Sequence, residues 1–453
     1  MATGHPYEAP LERVFRQAAR PFDEFIHGES TSGLLLISVT AIALFLANSP
    51  LAHTYEHVFH TPIAVSVGPW RLEHSLHHWI NDGLMALFFF VVGLEIKREI
   101  LVGELAEPRR AVMPIVAAIG GMVVPALFYA AMNLGGGDMD GWAIPMATDI
   151  AFAVGLMVLL GSRVPRALLA FLVALAIVDD LGGVAVIALF YTEEIVWQAL
   201  AIAALLLALL VAFNLLGIRK PIPYFLVGAG LWLALLESGI HATLAGVLTA
   251  WTIPARPRFD PQSFSRHVRE LMDRFDERCS GAATLMRNEE QRAIVQTLEN
   301  GVHHVETPLQ RLEHGLHLPV AFGVIPLFAL ANAGIPLALG DLRELLAEPV
   351  ALGVMAGLLI GKPLGIAGFS LLAVRLGLGQ LPTATRPVHI VGVGLLGGIG
   401  FTMSIFITEL GFAGQPEQIL LAKTGILAAS LVAGIAGYLW LRLVPSPAPA
   451  GQA

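Results

Sequence analysis

Four ionisable residues stand in the middle of long apolar runs. Asp149 lies near the middle of 142–161, the adjacent Asp179 and Asp180 in 166–191, and Lys362 in 349–374. Each would cost about 2.5–3.5 kcal/mol at the centre of a membrane-spanning helix, and such residues are retained chiefly along ion or proton pathways. A lone structural pair of Lys362 with one aspartate would leave two carboxylates unexplained. Neighbours on a helix diverge by about 100°, so one of Asp179 and Asp180 pairs with Lys362 while the other faces a water-filled funnel. Carboxylates are hard oxygen ligands suited to Na+, Li+ or H+. A proton on such a ligand destroys the cation's site, and competition of this kind is the physics of exchange.

Two of the runs carry residues that interrupt a helix: 141–149, with Pro145, and 392–402, with glycines at 392, 394, 397, 398 and 400. Proline removes a backbone donor, and an interrupted helix exposes carbonyls and half-helix dipoles at the membrane midplane. Asp149 and Lys362 have the right signs to compensate facing helix ends. A pair of interrupted spans in corresponding parts of two halves points to a secondary transporter built from inverted repeats.

The elements that must hold these residues follow from composition. Of 453 residues 56% are apolar and 14% charged, and the mean hydropathy is +0.71, which excludes a soluble globular enzyme. Twelve apolar runs of spanning length, or short enough to be tilted or broken, lie at 31–48, 76–98, 110–133, 142–161, 166–191, 196–217, 222–237, 239–253, 317–337, 349–374, 387–409 and 418–442. The seventh and eighth meet at Glu237-Ser238-Gly239; reading them as one segment would invert everything after them. With twelve, fourteen Lys and Arg near span ends fall on one side against three on the other, the insert 254–316 set aside. That bias predicts cytoplasmic termini: a cytoplasmic segment 1–30, a transmembrane domain 31–445 with a polar cytoplasmic insert 254–316, and a tail 446–453. No apolar stretch in the first thirty residues resembles a cleavable signal peptide.

Other features are simpler. Ile63, Val65 and Val67 alternate ahead of Gly68-Pro69, the pattern of a short outer β-hairpin over 61–72. Phe264, Val268, Leu271, Met272 and Phe275 recur at helical spacing among charges, as in an amphipathic helix beside the membrane. His303, His304, His314 and His317 lack the spacing of a metal site, and Cys279 stands alone. A net charge of -8 without a basic cluster excludes nucleic acid.

With these residues assembled, the chain resembles the NhaA-type Na+/H+ antiporters from about residue 30 to 445. Two stretches carry the carboxylates: Ala147-Thr148-Asp149-Ile150-Ala151-Phe152 and Ala176-Ile177-Val178-Asp179-Asp180-Leu181-Gly182. Five more follow the family's order, at 88–99, 238–246, 330–334, 361–365 and 400–404. The resemblance implies an all-α polytopic membrane protein of twelve transmembrane helices with inverted repeats and two broken, crossing helices. It implies electrogenic exchange of cytoplasmic Na+ or Li+ for external H+, activated at alkaline pH, in a bacterial inner membrane, with no cofactor. Asp180 and Asp179 would carry the cation and the protons, Lys362 would pair with Asp179, and Thr148 and Asp149 would line the unwound crossing. A pH-response cluster at the cytoplasmic funnel maps to Glu95, Arg98, Glu99, His241 and Glu313. A homodimer joined partly through the hairpin is also implied. The chain departs from the family in its long insert and in Gln310, where a basic residue is common.

Two other classes fit less well. An intramembrane aspartyl protease needs Gly-x-Gly-Asp within a span and a Tyr-Asp partner; Gly135-Gly136-Gly137-Asp138 falls in an outer turn, and no Tyr-Asp pair occurs. A channel needs a symmetric ring of charges or carbonyls, whereas the charges of one chain already form an asymmetric set.

Overall fold

Proline opens seven of the helices, where its missing N–H and fixed φ suit the first turn. The computed structural model describes residues 29–68, 70–192, 195–256, 261–277, 291–298, 306–336, 345 and 347–444. Cys279, His303, His304, Arg343 and the two terminal segments 1–28 and 445–453 lie outside them. Helices α1 (Glu29–Ala47) and α2 (Ala52–His60) lead to the strands β1 (Pro62–Val67) and β2 (Trp70–Ser75). They continue as α3 (Met85–Val102), α4 (Pro108–Asn133), α5 (Ile150–Leu159), α6 (Arg166–Phe190) and α7 (Trp197–Leu215). Then come α8 (Pro221–Leu236), α9 (Leu244–Thr252), α10 (Pro261–Glu277), α11 (Pro308–Pro319) and α12 (Ile325–Asn332). The last five are α13 (Pro349–Ala356), α14 (Lys362–Arg375), α15 (Pro387–Gly397), α16 (Phe401–Gly411) and α17 (Pro416–Leu443).

Each of the twelve apolar runs is a helix or an interrupted one. Among the described residues seven stretches are long and apolar enough to cross a membrane, and two bent pairs bring the number to nine. Of the others, α3 carries Glu95, Lys97, Arg98 and Glu99 at one end, while α8 and α9 are short. The molecule is a polytopic helical membrane protein. The hairpin pairs antiparallel from Pro62 with Ser75 to Val67 with Trp70, ending three residues later than the alternation predicts. It marks one end of the bundle, here the hairpin end; the insert lies at the other.

One boundary follows the sequence reading and one departs from it. The seventh and eighth runs are separate helices, α8 and α9, since the backbone turns at Gly239, whose φ of +80° suits glycine. The ninth run begins earlier than 317: Thr307 and Gln310 form a capping box, Thr307 Oγ1 accepting from the Gln310 N–H at 3.1 Å, which starts α11 at Pro308. Glu313 and His314, assigned to the polar insert, therefore stand on a helix continuous with that span.

Local chemistry also shapes the span that carries Lys362. A wide π-turn over Gly357–Gly361 joins α13 to α14, just before Pro363, which has no N–H to continue a regular ladder. A like turn over Val320–Val324 precedes Pro326. Helix α14 lies tight against α4: a Cβ on Gly120 would collide with the Gly365 carbonyl, and one on Gly365 with that of Gly120. Small residues thus bring the two backbones together and hold Lys362 at the centre of the bundle, with no exposed surface.

Candidate ion site

The two interrupted spans meet at their breaks. After a 3-10 turn over Asp140–Met146 the chain is extended at 147–149 before α5, while α15 and α16 are bent by 48° around 398–400. The Asp149 N–H donates to the Ile399 carbonyl at 2.7 Å, the Thr148 hydroxyl to the Gly397 carbonyl at 3.0 Å, and the Ser404 hydroxyl to the Ile144 carbonyl at 2.7 Å. Backbone groups left unpaired by each break find partners on the other, as a dry interior requires.

Asp149 is the N-cap of α5, with one carboxylate oxygen accepting from the Phe152 N–H at 3.1 Å. Its other oxygen accepts from the Thr402 N–H at 3.1 Å and from the Thr402 hydroxyl. One buried carboxylate thus caps the N-termini of both α5 and α16, where the helix dipoles are positive.

Lys362 serves the opposite sign. Its Nζ donates to Asp179 Oδ2 at 2.5 Å and to Thr148 Oγ1 at 2.9 Å. Through that hydroxyl, which donates onward to Gly397, the ammonium reaches the negative C-terminal end of α15. Asp179 is buried, yet its Oδ1 has no hydrogen-bond donor among the described residues. Asp180 is 6% exposed, and its Oδ2 likewise lacks a partner. The four charged residues and Thr148 therefore form one cluster: Asp149 is fully employed by helix ends, Asp179 is half satisfied by Lys362, and Asp180 is open. Two carboxylates with spare oxygens one residue apart are competent to take up protons or a hard monovalent cation.

Four of the five residues mapped to a pH-response cluster gather at the insert end. Arg98 meets Glu99 at 2.9 Å and Glu313 at 3.2 Å, and Glu95 lies 3.7 Å from His317, which sequence reasoning had set aside as part of a His-rich stretch. The fifth, His241, does not join them. It precedes α9 at the hairpin end, within electrostatic reach of Asp82, because α8 and α9 turn back between it and the insert. In the same region His74 of β2 stacks on His78 at 4.1 Å; burial, and then that neighbour, hold its ring pKa below the ordinary value.

Sequence reasoning missed several residues that the fold employs. Thr402 lay inside a quoted motif without a role. Asn332, in another, exchanges amide hydrogen bonds with Asn81 at 2.8 and 3.3 Å and meets His77 at 3.1 Å, tying α12 to the start of the α3 span. One helical turn further into the bundle, Phe328 packs against Phe406, and Phe406 against Phe89. Lys97 caps the end of α9 by donating to the Trp251 and Ile253 carbonyls at 2.6 and 2.5 Å. Polar residues within apolar runs were the available signal for Asn81 and Asn332.

Comparison with known proteins agrees with this architecture. The family described as Na+/H+ antiporter 1 matches residues 23–441. The Na(+)/H(+) antiporter NhaA 1 of Saccharophagus degradans is 58% identical over 431 residues, 95% of this chain and 93% of its own. The Na(+)/H(+) antiporter NhaA of Sulfurimonas denitrificans is 53% identical over 440 residues, 97% of this chain and 99% of its own. That of Dichelobacter nodosus is 45% identical over 441 residues, 97% of this chain and 95% of its own.

Proposed function

Because the chain belongs to the Na+/H+ antiporter 1 family, we propose that it moves Na+ or Li+ out of the cytoplasm in exchange for external H+, by alternating access around Asp179 and Asp180. It is a transporter rather than an enzyme. The observation that carries the residue assignment is the contrast between neighbours: Asp179 is neutralised by Lys362, and Asp180 is buried with an oxygen that no described donor meets.

In this reading the cation enters from the cytoplasmic side and takes oxygens of Asp180 and Asp179 as ligands, releasing one proton from Asp180 and a second from the Asp179–Lys362 pair as it draws Asp179 from Lys362. Exposure to the other side reverses the competition: external protons return to the carboxylates and the cation leaves. Two protons thus exchange for one monovalent cation, so each cycle moves net charge. The crossing makes this possible without unsatisfied backbone, since Asp149 and Lys362 neutralise the helix ends around it. Alkaline activation is assigned to the charged cluster of Glu95, Arg98, Glu99 and Glu313, joined by His317, and His241 acts separately at the hairpin end. A bacterial inner membrane location, cytoplasmic termini and a homodimer joined through the hairpin complete the proposal; an isolated hairpin is marginally stable and gains from a partner.

The test is dequenching of a pH-gradient dye in everted vesicles on addition of Na+, Li+ or K+, from about pH 6.5 to about 8.5, since the pH dependence of the rate reports the groups that exchange protons. Dequenching by Na+ and Li+ that vanishes in Asp180→Asn, with the variant still folded, is the expected result. Wild-type transport in that variant would remove Asp180 from the mechanism, and the lack of any cation response would remove the exchange itself.

A further inference from the structure

Between α8, α9 and the hairpin end of the α3 span runs an apolar groove of about 270 Å³ that the exchange mechanism does not use. Aromatic pairs wall it: Trp79 with Trp232, ring centroids 5.9 Å apart, and Phe90 with Phe225 at 5.3 Å. Gly83, Gly228 and Gly246 leave part of the lining without side chains, and no charged residue lines it.

The dimensions and orientation indicate what fills it. At about 1.5 Å per residue, Phe225 to Trp232 spans roughly 10 Å of α8 and Trp79 to Phe90 roughly 16 Å of the α3 span. Half the hydrocarbon core of a bilayer is about 15 Å. The indole N–H of Trp79 donates to the Ile63 carbonyl of β1 at 3.2 Å, and that of Trp232 to the Asp82 carbonyl at 3.1 Å. The polar edge of Trp79 thus faces the hairpin and that of Trp232 the backbone of the α3 span, while their rings face the groove, the placement of residues at a membrane interface. The lining comprises twelve residues, against about 20–30 on each side of a stable protein interface. That is too little for a protein partner and suited to a thin, flexible chain. An empty groove would forfeit the dispersion contacts of its walls.

We propose that this groove retains one acyl chain of a phospholipid from the leaflet on the hairpin side, bound at a fixed site rather than exchanging as part of the surrounding shell. Helix α9 is locked to α3, since a Cβ on Gly246 would collide with the Ala86 carbonyl. The acyl chain fills the space that α8 leaves between itself and that pair. At the wall the Thr249 hydroxyl is buried, faces Gly228 and has no hydrogen-bond partner among the described residues.

The experiment uses the full chain in phosphatidylethanolamine–phosphatidylglycerol vesicles containing a trace of phosphatidylglycerol with a diazirine midway along one acyl chain. After irradiation, adducts are mapped by peptide mass spectrometry. The expected result is labelling of 79–90 and 225–232 about ten-fold above that of the exposed face of α7 at Leu205 and Leu209. In Ala229→Phe, at an exposed position on the groove wall, that excess is lost while α7 labelling and the elution volume are unchanged. Thr249→Val, which makes the wall wholly apolar at that point, keeps or raises the excess. Equal labelling of groove and α7, an excess that survives Ala229→Phe, a loss in Thr249→Val, or chain-to-chain cross-links with the groove closed to lipid would each overturn the proposal.

Discussion

Removal of the Lys362 ammonium tests whether the pair at the centre of the bundle is held together as the geometry indicates. Lys362→Met keeps roughly the same volume and deletes the charge. Nζ lies 2.5 Å from Asp179 Oδ2, and neither side chain is exposed. The change leaves a buried carboxylate without its counter-charge and Thr148 without a donor. Breaking one side of a buried pair costs about 3–5 kcal/mol, whereas replacing both partners by neutral groups of similar size is close to neutral. An unfolding entropy of about 2.1 cal/mol/K per residue makes each kcal/mol worth roughly 1 °C in a chain of 453 residues. Lys362→Met is therefore expected to lower the midpoint by about 3–5 °C, and Lys362→Met combined with Asp179→Asn to recover most of that loss. Fluorescence-detected size-exclusion chromatography after a heating series measures all the variants in one detergent. A single variant as stable as wild type, or a double variant no better than the single, would refute the reasoning.

Three further perturbations address the cap, the charged cluster and the insert. Thr402→Val removes one hydrogen bond to the Asp149 carboxylate, about 1.5–3 kcal/mol for a charged acceptor. The same heating series should show a loss for Val and little for Thr402→Ser. Glu313→Gln breaks the ion pair with Arg98, which is 38% exposed and so contributes at most about 1 kcal/mol to stability. Its effect should appear instead as a displaced pH profile of Na+-driven dequenching at unchanged maximal rate, and an unmoved profile would remove Glu313 from the pH response. Deletion of 258–305 should leave transport intact, because the Leu309 N–H already donates to the Pro254 carbonyl at 3.3 Å and the flanks of the insert meet. A folded but inactive deletion would give the insert a gating role.

What the sequence disclosed, and what it withheld, divides along a physical line. Residues whose type is costly in their surroundings were legible: Asp149, Asp179, Asp180 and Lys362 within apolar runs, and the prolines and glycines that break two of those runs. The helices followed because apolar length has few other outcomes in a membrane. Contacts set by three-dimensional crossing were not legible. No spacing shows that Asp149 caps a helix 252 residues further on as well as its own, or that Thr148 relays Lys362 to the end of α15. The order of residues along the chain likewise hid that His241 lies at the opposite end of the bundle from Glu95 and Arg98. The start of α11 was misplaced for a local reason: Thr307 and Gln310 are polar, and their polarity reads as loop until the capping box is seen.

In the proposed exchange, the contacts that steady the crossing are those an ion must disturb. Lys362 holds Asp179 directly and the Gly397 carbonyl through Thr148, so a cation that takes Asp179 oxygens leaves Lys362 to Thr148 and the helix end alone. A proton on Asp179 weakens the same salt bridge by cancelling the charge. Both occupants therefore act on one lysine, and through one hydroxyl on the junction of α15 with α5. Asp149 differs because its carboxylate accepts from Phe152 and Thr402, within the crossing itself. In the proposed cycle it keeps the two N-termini neutralised whichever occupant is present, so that Asp179 and Asp180 would exchange ligands without unpairing the broken backbone around them.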